Sequence, residues 1–135
     1  MDEDTKRLIG IRLERCRDDL VTAQLLIREG KYRTAISRAY YAIFMIATAA
    51  LATLGISRSK HSGVESAFGQ YLVKPGLLEP KYHSVYIRAR EWREDADYEP
   101  TVQFTEQDAR TVLGQAEEFV ARVERYLREN AAIEG

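Results

Sequence analysis

The chain of 135 residues has a single cysteine and only two histidines. Cys16 cannot form an internal disulfide, and on an apolar helix face it reads as a small core residue. With His61 and His83 the only imidazoles, no Cys/His spacing points to a metal, and no cofactor is expected. Also missing are a glycine-rich phosphate loop and any Ser/His/Asp arrangement that sequence can point to. No stretch alternates apolar and polar residues as a strand would, and there is no internal repeat or low-complexity segment. The opening MDEDTKR is acidic and polar rather than leader-like, so a cytoplasmic location is the expectation.

Charge is scarcest in the middle of the chain. SRAYYAIFMIATAALATLG, Ser37 to Gly55, carries only Arg38. The run from Ala39 to Ser57 is long enough to span a bilayer. It is rich in alanine, however, and no aromatic or basic belt follows it, which makes a weak span. A helix apolar on every side is also what the middle of a bundle looks like, and a buried core helix is the preferred reading over a membrane helix.

What is present is helical periodicity. Ile9, Leu13, Cys16, Leu20, Ala23 and Ile27 mark one face of a first helix that Gly30 closes. Tyr32 to Leu54 reads as a second helix ended by Gly55. Ser59 is placed as the cap of a short third helix, stopped by Lys74-Pro75-Gly76. Leu78, Tyr82, Val85, Ala89, Trp92 and Ala96 trace a fourth, with a loop from about Asp97 to Phe104. Thr105 and Asp108 resemble a capping box, and Ala109, Val112, Ala116, Phe119, Val123 and Tyr126 form the last stripe. At 45% hydrophobic and 30% charged residues, this is an ordinary globular composition. The expectation is one all-α domain over residues 1–135, an up-and-down bundle of four or five helices.

The net charge of −1 hides an asymmetry. Residues 31–93 carry ten Lys or Arg against three Asp or Glu, whereas residues 94–135 carry four against eleven. Either the bundle neutralises itself, or Arg33, Arg58, Lys60, Lys74 and Lys81 offer a basic surface to phosphate or RNA.

Arg38 inside an uncharged run needs a carboxylate or carbonyl partner, because an unpaired buried charge is very costly. Tyr41 is its neighbour one turn on, and Met45 shares the face. A second polar row, Tyr86, Arg90, Arg93 and Asp97, steps along the fourth helix. Asp97 is the expected partner of Arg38, with Glu91 also in range. Two readings stay open: a structural ion pair between helices, or a cleft in which Arg38 and Arg93 meet a phosphate among tyrosines.

The blocks GKYRTAISRAYYAIF, KHSGVESAFGQYLVKPG and REDADY resemble the HEPN (higher eukaryotes and prokaryotes nucleotide-binding) family, in particular its small stand-alone prokaryotic branch. The resemblance covers roughly residues 12–128. It implies a helical bundle that pairs into a homodimer, often beside a minimal nucleotidyltransferase in a toxin–antitoxin module. It also implies, for many members, metal-independent endoribonuclease activity through an arginine followed after four to six residues by a histidine.

This chain departs from that motif. Six residues separate Arg38 from Met45, which stands where the branch pattern has histidine, and Arg93 is followed by Asp97 and Tyr98. A thioether exchanges no proton. The leading expectation is therefore a non-catalytic binding module for a nucleotidyltransferase partner, a nucleotide or RNA. Its binding cleft is drawn from Arg38, Tyr41, Arg90, Arg93, Asp97 and Tyr98, with His61 and Lys60 as additional candidates. The alternatives are an endoribonuclease with an atypical set, such as Arg38, Tyr41, His61 and Arg93, and a purely structural dimer.

Overall fold

The structure, a computed structural model, describes residues 1–134. Five α-helices follow in chain order: α1 (Glu3–Arg28), α2 (Tyr32–Ala52), α3 (His61–Phe68), α4 (Pro80–Tyr98) and α5 (Glu106–Glu129). A π-helical turn, Gly69–Val73, continues α3. Among the described residues there is no strand, and the chain is an all-α helical bundle.

The helix ends follow from local chemistry. Asp2 caps α1 by accepting from the Thr5 N–H at 2.7 Å, with Glu3 and Asp4 in the positive first turn. Gly30, at φ +76°, lets the Lys31 N–H reach back to the Leu26 carbonyl at 2.8 Å and turns the chain into α2. Helix α2 stops at Ala52, two residues short of the expected Leu54. There the Thr53 hydroxyl takes the Ala50 carbonyl at 2.6 Å, and the Ile56 N–H folds back to Leu51 around Gly55. Ser59 is not the cap of α3. Lys60 holds that position without a side-chain cap, and the Val64 N–H to the Lys60 carbonyl sets the first turn. The capping box of α5 is present in full: Thr105 and Asp108 exchange bonds of 2.9 and 3.1 Å. Helix α4 runs to Tyr98, so the α4–α5 loop begins two residues later than its sequence suggested.

Helix α2 is the centre of the bundle and packs most extensively on α1, then on α5 and α4. Six of its alanines, Ala35, Ala39, Ala42, Ala47, Ala49 and Ala50, are buried, and their small size lets neighbouring helices approach closely. Among the described residues α2 alone is long and apolar enough to cross a membrane, yet 67% of that window is buried inside the bundle. Cys16 is fully buried, and burial pushes its thiol up to about 12, so it behaves as a core residue.

Two features set the far side of the core. Tyr86, placed by spacing in a polar row, is instead fully buried between Phe68 and Phe119, with ring centroids 5.6 and 5.9 Å away. Its hydroxyl has no hydrogen-bond partner among the described residues. The π-turn fits around His83: a Cβ on Gly69 would come within 2.6 Å of that ring.

The charge asymmetry is partly resolved inside the molecule. Lys81 of the basic segment pairs with Glu118 of the acidic one at 3.1 Å, and Arg17 adds a pair with Glu124 at 3.3 Å, whereas Arg122 with Glu79 at 2.8 Å runs the other way. Arg33, expected on a basic surface, instead donates to the Ala96 and Val102 carbonyls and lies 5.1 Å from the Phe104 ring centroid. It holds the α4–α5 loop.

Candidate functional site

Tyr40, Tyr41 and Phe44 project from α2 at the first and second turns after Arg38, and the start of α3 and the end of α4 close over them. Arg93 of α4 lies with its guanidinium carbon 4.8 Å from the Tyr40 ring centroid and 5.8 Å from that of Tyr98. Its side chain is only 12% exposed, whereas Tyr98 is 68% exposed. Asp97, one turn along the helix, pairs with Arg93 at 3.5 Å. The Arg93 Nε is buried with no hydrogen-bond partner among the described residues. Burial works against the Arg93 charge, but Tyr40, Tyr41, Asp97 and Tyr98 outweigh it and raise its pKa.

His61, the first residue of α3, reaches the same aromatic floor. Its Nδ1 is 3.3 Å from the Tyr40 hydroxyl, and its ring lies 4.1 Å from Phe44 and 5.8 Å from Tyr41, centroid to centroid. Burial, and secondarily the nearby Arg93 charge, lower the His61 pKa from 6.5, so the imidazole is neutral at pH 7. Burial pushes Tyr40 up to about 12 against the pull of Arg93, which keeps its phenol protonated. The cluster therefore offers a cation with a free donor, a neutral imidazole, a protonated phenol and an exposed ring. Those are groups suited to a phosphate and a base. Among the described residues no three His, Cys, Asp or Glu side chains converge as metal ligands.

Arg38 sits to one side of this cluster, and its partner differs from the expected one. Its Nη1 is 3.4 Å from Asp19 of α1, and its guanidinium carbon is 4.7 Å from the Tyr41 ring centroid. Asp97 is instead taken by Arg93 of its own helix. Arg38 faces the neighbouring helix α1, and at 36% side-chain exposure it is half-buried rather than deeply so. Arg90 is held by Glu65 at 2.8 Å and Glu94 at 2.5 Å, so carboxylates engage its guanidinium. Met45 is half-buried against the core beside Phe44. Lys60 is exposed next to His61.

Sequence reasoning missed Asp19, Tyr40, Phe44 and Glu65. For Asp19 the signal was there: it lies three residues after Cys16 and four before Ala23, an acid within an apolar stripe. The raised pKa of Asp19, caused first by burial and opposed by Arg38, marks the same anomaly.

The HEPN domain matches residues 10–126, most of the chain. The chain belongs to the HEPN family. HEPN relatives align over nearly their whole length. A Methanocaldococcus jannaschii protein named "Putative toxin MJ0605" is 36% identical over 129 residues, 96% of both chains. The Thermotoga maritima "UPF0332 protein" is 32% identical over 126 residues, 93% of this chain and 96% of the relative. A second Methanocaldococcus jannaschii protein, "Putative toxin MJ0142", is 28% identical over 130 residues, 96% of this chain and 88% of the relative.

Proposed function

We propose that this HEPN protein serves a toxin–antitoxin-like system as a binding module, taking a phosphate of a nucleotide or RNA at Arg93 and a minimal nucleotidyltransferase as its protein partner. One observation carries the reading: the Arg93 guanidinium keeps a buried, unpartnered Nε while it sits between Tyr40 and the exposed Tyr98. A buried orphan donor on a cation is a cost that an incoming phosphate oxygen removes. The toxin names of two relatives agree with the wider setting. Met45 argues for binding without turnover, since the family's motif histidine is missing there. The test is binding of a short RNA by wild type and Arg93→Ala at several salt concentrations. Wild-type affinity should fall as salt rises, because phosphate contacts release counterions. Arg93→Ala should bind at least about tenfold more weakly with an unchanged helical spectrum. Equal affinity in the variant would place the site elsewhere.

A second reading has its own observation. His61 is neutral, stands against Tyr40 and feels the Arg93 charge. If Nδ1 donates to the tyrosine oxygen, Nε2 is left as a base for a ribose 2′-hydroxyl. Cleavage of an RNA pool by wild type that disappears in His61→Ala would replace the binding-only reading with this one.

Self-association is part of the proposal. Leu8, Ile11, Val21 and Leu25 form a second stripe on α1, 41–55% exposed, interrupted by Glu14, Arg15 and Asp18. The stripe is self-complementary about a two-fold axis between residues 16 and 17. Antiparallel α1 helices then bring Leu8 of one copy to Leu25 of the other and Arg15 to Asp18, whereas a parallel pair opposes like charges. Sedimentation should show a dimer that Arg15→Asp breaks and Arg15→Asp with Asp18→Arg restores. A monomer at all concentrations, or a dimer indifferent to Arg15→Asp, rejects this face.

A further inference from the structure

Where α1, the end of α2 and the 56–60 loop meet, Arg12 and Arg58 line one cavity of about 30 Å³, together with Ser57, Thr48, Leu51 and Val64. Among the described residues no carboxylate lines it. Neither arginine is in an ion pair among the described residues. Arg12 donates to the Thr48 carbonyl at 3.2 Å, and Arg58 donates to the Ser57 carbonyl at 2.8 Å. Arg12 is half-buried and Arg58 exposed, and each bond uses one of the five N–H groups of its guanidinium, so donors remain for a ligand. The stem of Arg58 is seated on Gly63, where a Cβ would come within 3.3 Å of it. The lining thus sets two guanidinium groups, Ser57 and Thr48 against apolar Leu51, Ile56 and Val64.

We propose that this cavity is an oxyanion site for a phosphoryl group, separate from the Arg93 cluster. The volume holds about two water-sized groups, which matches the two oxygens that one guanidinium engages side by side. The burial of Arg12, which lowers its pKa with no acid to oppose it, is relieved when an anion enters. The site does not depend on the Arg93 reading, and the variants below separate the two.

The experiment measures thermal stability of the full chain against inorganic phosphate at constant ionic strength, for wild type, Arg58→Gln, Arg12→Gln and Arg93→Ala. All four proteins should melt at higher temperature as phosphate replaces chloride, because phosphate stabilises folded chains generally, but the rise should be clearly smaller in both glutamine variants than in wild type and Arg93→Ala. Arg58 makes only one bond to its neighbouring carbonyl, so Arg58→Gln keeps the test valid should Arg12→Gln fail to fold. A second arm uses a short single-stranded RNA. About tenfold weaker binding by Arg58→Gln, with a shallower salt dependence, assigns the phosphoryl group to a strand. Unchanged RNA binding alongside the phosphate effect assigns it to a free phosphate or nucleotide. No phosphate-dependent rise in wild type, or an equal rise in Arg58→Gln, overturns the site.

Discussion

Arg38 and Asp19 form an asymmetric pair, and the asymmetry predicts which partner is costlier to remove. The Asp19 side chain is 7% exposed and that of Arg38 36%. Arg38→Ala leaves a buried carboxylate unpaired, a loss of about 1–3 kcal/mol. Asp19→Asn leaves a guanidinium that already reaches water, a loss of about 1 kcal/mol or less. For a chain of this length 1 kcal/mol moves Tm by about 3–5 °C, so Arg38→Ala should melt about 3–15 °C low. Adding Asp19→Asn to Arg38→Ala should recover most of that loss. The pH dependence has a definite sign. The folded pKa of Asp19 already stands above 3.8, so the folded state binds the proton more tightly than the unfolded one. Charging it costs stability as pH rises from about 3.8 through the folded value. Without Arg38 that value climbs further, so Arg38→Ala should regain part of its lost stability near pH 5, and the double variant should not. Thermal melts followed by circular dichroism at pH 5 and pH 7 decide it. Asp19→Asn as costly as Arg38→Ala, or a double variant no better than Arg38→Ala, would refute the buried-pair account.

Gly69→Ala should destabilise the junction of α3 and its π-turn by about 1–3 kcal/mol, because the new methyl meets the His83 ring at 2.6 Å. Pairing it with His83→Ala should return part of the loss, as urea unfolding would show. Thr105→Ala removes one arm of the α5 capping box and should cost about 1 kcal/mol in the same assay. Wild type should cut a mixed RNA pool little or not at all without metal. Met45→His, which restores the family's histidine on the Arg38 face, is the variant expected to gain cleavage, and a general acid–base group is worth roughly 10²–10⁴-fold.

The helices were legible in the sequence because each had to bury one stripe. All six residues of the expected α5 stripe, from Ala109 to Tyr126, are buried, and α1 differs only in the half-buried Leu20. Ends were less legible. Ser59 has the chemistry of a cap, but the chain enters α3 one residue later, where backbone bonding to Lys60 needs no side chain. The Tyr86 error has a related cause: stepping with Arg90 and Arg93 says which residues share a helix face, not how wide the buried sector is. Phe68 and Phe119 extend that sector far enough to cover the ring.

Partners of charged side chains were the least legible part, and the reason is geometric. A row on one helix predicts pairs within that helix, and Arg93 with Asp97 obeys it. It says nothing of which neighbouring helix an arginine on another element will face. Arg38 lies on the central helix, and its position selects α1, whose Asp19 is the acid sunk in the stripe between the two. Once Asp19 holds Arg38 and Glu65 and Glu94 hold Arg90, the candidate arginines no longer act as one group. Arg93 is the one of the three left with a buried, unpartnered donor, and it is also the one beside His61, Tyr40 and the exposed Tyr98. The ion pairs that secure the bundle thus leave a buried, unpartnered donor at a single one of these three guanidinium groups, and on the proposed reading Arg93→Ala is the variant that should separate binding from folding.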